Sequence, residues 1–139
     1  MFKQSKSKNK NKKGLEVLNI TKQFRFSFAH KLPNHPGACN NLHGHSGKLE
    51  VTVYAVGGPS PLTGMIMDFS ELEAIVKDNV IDLLDHKYLN DILFNPTVEA
   101  LVIWVISQLE KELPPHIRIR RIRFWEEIDS ACAEWEESK

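Results

Sequence analysis

The chain is short of cysteine, of long apolar runs and of net charge, and each shortage narrows what it can be. Two cysteines, Cys39 and Cys132, occur in 139 residues. They could pair, but in a cytosolic chain of this size Cys39 reads as a metal-site or catalytic thiol and Cys132 as a small core residue. The longest apolar run, Ala100 to Ile106, is far too short to span a bilayer. No apolar targeting segment with a cleavage site follows the N-terminus, so a cytoplasmic protein with no membrane partner is expected. Basic and acidic residues balance at 18 each. That zero conceals an asymmetry. The first thirteen residues hold six lysines and no acid, which leaves 12 basic and 18 acidic residues, a balance of −6, for the rest. Residues 1–15 are expected to be a disordered basic tail, and 16–139 a single domain of ordinary composition, 42% hydrophobic and 26% charged. An acidic body argues against nucleic-acid binding as the chain's role.

Periodicity supplies the elements. Phe24, Phe26, Phe28 and His30 alternate with Arg25, Ser27 and Ala29, the pattern of a half-buried strand over 24–30. After a loop rich in Pro, Asn and Gly, a second strand runs from about His43 to Val56. It carries His43, His45, Leu49, Val51, Val53 and Ala55 on one face and Lys48, Glu50 and Thr52 on the other. Asp68 with Glu71 resembles a capping box at the head of a helix that ends near Leu84. A second helix opens at Asn95-Pro96-Thr97, with proline at a permitted early position, and runs to about Glu112. It is apolar nearly all round, which points to cover on more than one side. A third strand spans Ile117 to Glu126, and its parity shifts midway, as a β-bulge near Arg120-Arg121 would produce. A fourth short strand lies around Ala131 to Trp135. The expected class is α+β, with the helices on one face of an antiparallel sheet.

The chemistry concentrates in Cys39-Asn-Asn-Leu-His43-Gly-His45, read with His30. If the first two strands pair antiparallel, the end of one lies beside the start of the other. His30, His43 and His45 then converge on one face. Three imidazoles suit zinc and leave one position of a tetrahedron open, the pattern of a catalytic site. Cys39 could close that shell as a fourth ligand, or stand outside it as a thiol whose pKa the cation lowers. Asp85-His86 is either a polar helix end or a functional pair. Glu126 continues the apolar parity of its strand, so it either pairs with something or marks an exposed strand end. Thr97 can serve as a cap, and Glu99 suits a helix N-terminus on dipole grounds alone.

Six segments, in order, resemble the 6-pyruvoyl-tetrahydropterin synthase family and, within it, the 6-carboxytetrahydropterin synthase branch of queuosine biosynthesis. They are Phe26-Ser-Phe-Ala-His30-Lys-Leu-Pro, Cys39-Asn-Asn-Leu-His43-Gly-His45, Met67-Asp-Phe, Leu84-Asp-His86-Lys-Tyr-Leu-Asn90, Asn95-Pro-Thr-Val-Glu99 and Trp125-Glu126. The resemblance covers roughly Lys22 to Glu136. The short spacing between Cys39 and His43 looks like the queuosine enzymes, and the presence of Cys39 speaks against a folate-related group that carries glutamate there.

The resemblance implies a tunnelling fold: a four-stranded antiparallel sheet with two helices between strands 2 and 3. Subunits would close into a barrel trimer or hexamer with active sites between them. It implies Zn2+ on His30, His43 and His45, Cys39 as the proton-abstracting base, and Asp85 with His86 as a relay. It also implies Glu126 as the anchor of a pterin ring, and Thr97 and Glu99 in the substrate pocket. The implied reaction converts 7,8-dihydroneopterin triphosphate to 6-carboxy-5,6,7,8-tetrahydropterin, acetaldehyde and triphosphate. The alternatives are the pyruvoyl-forming reaction, which eliminates triphosphate alone, and a non-catalytic zinc-binding module. The chain departs from the family pattern at Glu127, where threonine is usual, and in its lysine-rich tail.

Overall fold

The computed structural model describes residues 18–138; the expected tail lies outside them. Strand β1, Ile20–His30, pairs antiparallel with β2, His43–Ala55. Helix α1, Phe69–Val76, runs on through a π-helical stretch, Lys77–Ile81, and a closing turn, Asp82–Leu84. Then come β3, Lys87–Tyr88; α2, Val98–Glu110; β4, Ile117–Trp125; and β5, Cys132–Glu136. The sheet order is β3-β1-β2-β4-β5.

The α+β class holds, with a sheet and two helices, but the sheet has five strands, not four. The added strand, β3, is two residues long and parallel to β1, with Phe28 opposite Lys87 and Ala29 opposite Tyr88. Two residues carry no alternation, so no periodicity announces it. What creates it is the end of α1: the His86 N–H donates to Ser27 O at 2.6 Å, and the chain is laid against the β1 edge.

Strand β1 begins at Ile20, ahead of the Phe24 at which its clear alternation starts; the other boundaries fall close to the periodic ones. Asp68 caps α1, its carboxylate accepting from the Ser70 N–H at 2.8 Å. Thr97 caps α2, its hydroxyl accepting from the Ala100 N–H at 3.1 Å. The bulge expected near Arg120-Arg121 is present: Thr52 faces Arg121 but Val53 faces Ile119, so Arg120 is the extra residue.

Both helices cover one face. Leu72, Val76 and Leu84 from the α1 run and Leu101, Val105 and Leu109 from α2 pack on Phe26, Phe28, Leu49, Val51, Val53, Ile122 and Phe124. Ile103, on the far side of α2, is 71% exposed. The opposite, polar face of β2 is not solvated as a half-buried strand would be: Lys48, Glu50 and Thr52 are all buried. Long neighbours shield them. Glu50 accepts from Gln23 Nε2 at 2.8 Å and Trp125 Nε1 at 3.2 Å. Lys48 Nζ stands 4.7 Å from the centroid of the Trp125 ring. Burial alone would raise the Glu50 carboxyl, but those two hydrogen bonds with Lys48 and Arg123 outweigh it, and the net shift is downward. Cys132 is exposed, not a core residue. It lies on the edge strand opposite Trp125, on the face that the helices do not cover. Among the described residues no helix is long and apolar enough to cross a membrane.

Gly47 marks the tightest point between β1 and β4. A Cβ there would lie 2.9 Å from Phe28 Cε1, 3.1 Å from the Trp125 carbonyl oxygen and 3.4 Å from Phe26 Cζ. The backbone carbonyl cannot move without breaking the ladder, and both rings are packed in the core. Gly47→Ala is therefore expected to cost roughly 1–3 kcal/mol, read as a lowered urea midpoint at unchanged slope. An unaltered midpoint would show that the sheet has slack at this position.

Candidate metal centre and its surroundings

The site follows from strand register. In the β1–β2 ladder His30 pairs with His43, and Phe28 pairs with His45. Because alternate residues share a face, the three imidazoles meet at one end of the sheet. Ring centroids are 4.6 Å apart for His30 and His43, 5.1 Å for His30 and His45, and 4.8 Å for His43 and His45. One ligand atom from each lies within 4.8 Å of the others. The Phe28 ring packs beneath, 5.2 Å from His30 and 5.4 Å from His45.

Each ring is turned by an acceptor at Nδ1. His30 donates to the Pro96 carbonyl at 2.9 Å, His43 to the Asn41 carbonyl at 2.7 Å, and His45 to Glu127 Oε1 at 2.6 Å. A carbonyl or carboxylate oxygen can only accept, so Nδ1 carries the hydrogen and Nε2 is left with a lone pair. All three Nε2 atoms are buried and have no hydrogen-bond partner. Three buried acceptors without donors are costly, and a divalent cation satisfies all three at once. Burial holds the His30 imidazole below its ordinary pKa, with His43 and His45 adding to the shift against the Pro96 carbonyl and Glu126. That favours the neutral form a metal requires. The donor set fits zinc.

The other candidate residues divide into near and far. Glu126 follows the last residue of β4, and its carboxylate lies 3.6 Å from His45 Nε2 and 3.8 Å from His30 Nε2. Those distances are too long for hydrogen bonds. Thr97 follows Pro96, whose carbonyl orients His30, and its hydroxyl is engaged as the α2 cap. Glu99 is exposed in the first turn of α2. Cys39 is half-buried in a 3-10 turn, Ala38–Asn40, on the loop joining the two histidine strands. Its carbonyl accepts from the Leu32 N–H at 2.8 Å. It is not one of the three residues of the metal-ligand group.

Asp85 and His86 lie elsewhere, at the β3 edge of the sheet. The Asp85 carboxylate accepts from the Ser27 N–H at 3.0 Å and stands 2.9 Å from His86 Nδ1. His86 has a positive φ of 59° and an 81% exposed side chain, an unusual backbone for a residue other than glycine. A shallow cavity of about 400 Å³ borders the pair, lined by Ser27, Phe28, Ala29, His86, Lys87 and Tyr88.

Several supports carry no sequence signal of their own. The Pro96 and Asn41 acceptors are backbone carbonyls. Asn90 grips the end of β1, accepting from the Lys31 N–H at 2.9 Å and donating to the Lys31 carbonyl at 2.8 Å. It lay inside one of the six quoted segments, but nothing in its identity says that it clamps a strand.

Comparison with known proteins identifies relatives in sequence and in fold. The model of the family described as 6-pyruvoyl tetrahydropterin synthase matches residues 19–137. The 6-carboxy-5,6,7,8-tetrahydropterin synthase of Synechocystis sp. is 45% identical over 96 residues, covering 66% of this chain and 74% of that protein. The protein of the same name from Haemophilus influenzae is 31% identical over 142 residues, covering 84% and 97%. The solved structure of Caenorhabditis elegans 6-pyruvoyl tetrahydropterin synthase shares the fold. Its TM-score is 0.73 at 24% identity, over 87% of this chain and 96% of that one.

The Asp85 carboxyl is held below its ordinary value, chiefly by the Ser27 N–H; burial opposes that, and His86 adds to the lowering. Its folded pKa is thus below its unfolded one. The stability it contributes is present above the ordinary carboxylate range and lost as pH falls through the folded value. Asp85→Asn keeps an acceptor for Ser27 but cannot titrate. It should flatten the fall of thermal midpoint with pH below about pH 4; an acid limb as steep as the parent's would contradict this.

Proposed function

The chain belongs to the 6-pyruvoyl tetrahydropterin synthase family, and from that we propose that it is a zinc-dependent 6-carboxy-5,6,7,8-tetrahydropterin synthase acting in queuosine biosynthesis. The substrate is 7,8-dihydroneopterin triphosphate, and the products are 6-carboxy-5,6,7,8-tetrahydropterin, acetaldehyde and triphosphate. The observation that carries the reading is the set of three buried, partnerless Nε2 atoms on His30, His43 and His45. The names of two relatives support the 6-carboxy-5,6,7,8-tetrahydropterin product.

When bound, zinc supplies Lewis acidity toward the hydroxyls of the substrate side chain. The chain's own residues do the rest. The three histidines would hold the ion through their Nε2 atoms. Cys39 would be the base that takes a carbon-bound proton from the substrate side chain. His86, oriented by Asp85 at 2.9 Å, relays protons at the opposite face. Glu126 anchors the pterin ring, with Thr97 and Glu99 lining the pocket. Its approach to two of the three Nε2 atoms supports this reading, since a ring held there would have its side chain toward the ion. Holding reactants in this way can be worth on the order of 7 kcal/mol.

The relay pair and the histidine cluster lie at different places on one chain. An assembly in which the β3 edge of one copy adjoins the histidine end of another would bring them together. Such closure would also pair the two sheet edges. A homo-oligomer, trimer or hexamer, is the form proposed.

Incubation of the purified protein with 7,8-dihydroneopterin triphosphate should release acetaldehyde and triphosphate together. Triphosphate without acetaldehyde would instead indicate the pyruvoyl-forming reaction. Cys39→Ala should retain zinc and lose turnover; loss of the metal in that variant would make Cys39 a ligand and overturn its role as base. Glu126→Gln should weaken pterin binding more than zinc binding, and equal affinity for the ring in both proteins would refute the anchor.

A further inference from the structure

The two consecutive carboxylates that follow β4 have separate tasks. Glu126 approaches the Nε2 side of His45, while Glu127 takes the Nδ1 side of the same ring at 2.6 Å. We propose that Glu127 is a positioning residue of the metal centre, fixing the tautomer and the orientation in which His45 presents Nε2. The proposal deepens the functional reading above and rests on the histidine cluster being a metal site.

The local fold puts Glu127 where this role needs it. After Trp125 the chain turns back within 126–131. The Glu126 N–H donates to the Ala131 carbonyl at 3.1 Å, and the Ser130 N–H donates to the Glu127 carbonyl at 3.2 Å. Asp129 takes a positive φ of 62° to complete the turn. The Ile128 N–H then donates to the Ser46 carbonyl at 3.0 Å, which ties the turn to β2 one residue beyond His45. Glu127 is therefore held beside His45 by the backbone on both sides of it.

The contrast with the other two histidines defines the role. Pro96 and Asn41 offer neutral backbone carbonyls to His30 and His43. Only His45 is oriented by a charged acceptor among these three bonds, and charge-assisted hydrogen bonds are shorter and stronger. A carboxylate behind a ligating imidazole also raises its basicity toward the ion. The Glu127 side chain is 48% exposed, so water competes for it and the effect belongs at the lower end of the range for such partners.

The experiment uses the full chain in three forms: parent, Glu127→Ala and Glu127→Gln. Zn2+ dissociation constants are read by chelator competition, and the imidazole tautomers of the metal-free proteins by long-range 15N NMR. The parent should hold His45 with its hydrogen on Nδ1. Glu127→Ala should bind Zn2+ about tenfold more weakly, with His45 alone losing that tautomer while His30 and His43 keep theirs. Glu127→Gln retains an acceptor oxygen and should restore the tautomer and part of the affinity. Zn2+ affinity unchanged in Glu127→Ala, or a His45 tautomer indifferent to the substitution, overturns the proposal. If the parent itself binds no Zn2+, the metal reading fails separately, and the tautomer measurement still decides whether Glu127 sets the ring.

Discussion

The pairing of β1 with β2 is the constraint on which everything else rests. It sets His30 against His43 and Phe28 against His45, and a slip of one residue would turn one strand's side chains to the other face. The register is held by the core beneath it, where Phe26 and Phe28 of β1 meet Phe124 of β4 over Gly47. Asn90 fixes the chain just beyond His30, bonding Lys31 on both its N–H and its carbonyl. The cluster of imidazoles is thus a consequence of ordinary strand packing carried two residues past the hydrophobic core.

What makes the cluster a site is its unfinished hydrogen bonding. Every Nδ1 has an acceptor and every Nε2 has none. A fold that sought stability alone would place apolar side chains at these positions. The three lone pairs are retained at a cost that a bound cation offsets. The acceptors come from three separate places: the approach to α2, the loop between β1 and β2, and the turn after β4. A cation held by the three rings would therefore tie together parts of the chain far apart in sequence.

The two faces of the sheet were legible to different degrees. Period-two alternation was enough to find β1, β2 and β4, to place all three histidines on one side, and to locate the bulge at Arg120, since each of these is a statement about parity. It could not find β3, a two-residue strand made by the end of α1. It also left open what covers Lys48, Glu50 and Thr52. Their cover comes from neighbouring strands, with Trp125 beside Lys48, Gln23 and Arg123 beside Glu50, and Thr21 and Arg121 beside Thr52, a lateral packing that no single strand displays. Cys132 was misjudged for the same reason: its edge position follows from the order of strands. The π-helical stretch, in which the Asn79 side chain donates to the Ile75 carbonyl while Gln108 donates to the Asn79 carbonyl, depends on contact between α1 and α2. At the site, the three histidines were visible as residue types, but two of the acceptors that orient them are backbone carbonyls. The third, Glu127, stood out in sequence only as a departure from a pattern.

The most direct test of the account is X-ray absorption at the zinc edge on the purified, zinc-loaded protein, with the metal content counted per chain. The account predicts one zinc per chain, about 2.0–2.1 Å from three imidazole nitrogens, with the remaining position taken by a light atom such as water oxygen. A sulfur scatterer near 2.3 Å would place Cys39 in the shell and close the site. Fewer than three nitrogen neighbours would contradict the convergence of His30, His43 and His45 itself.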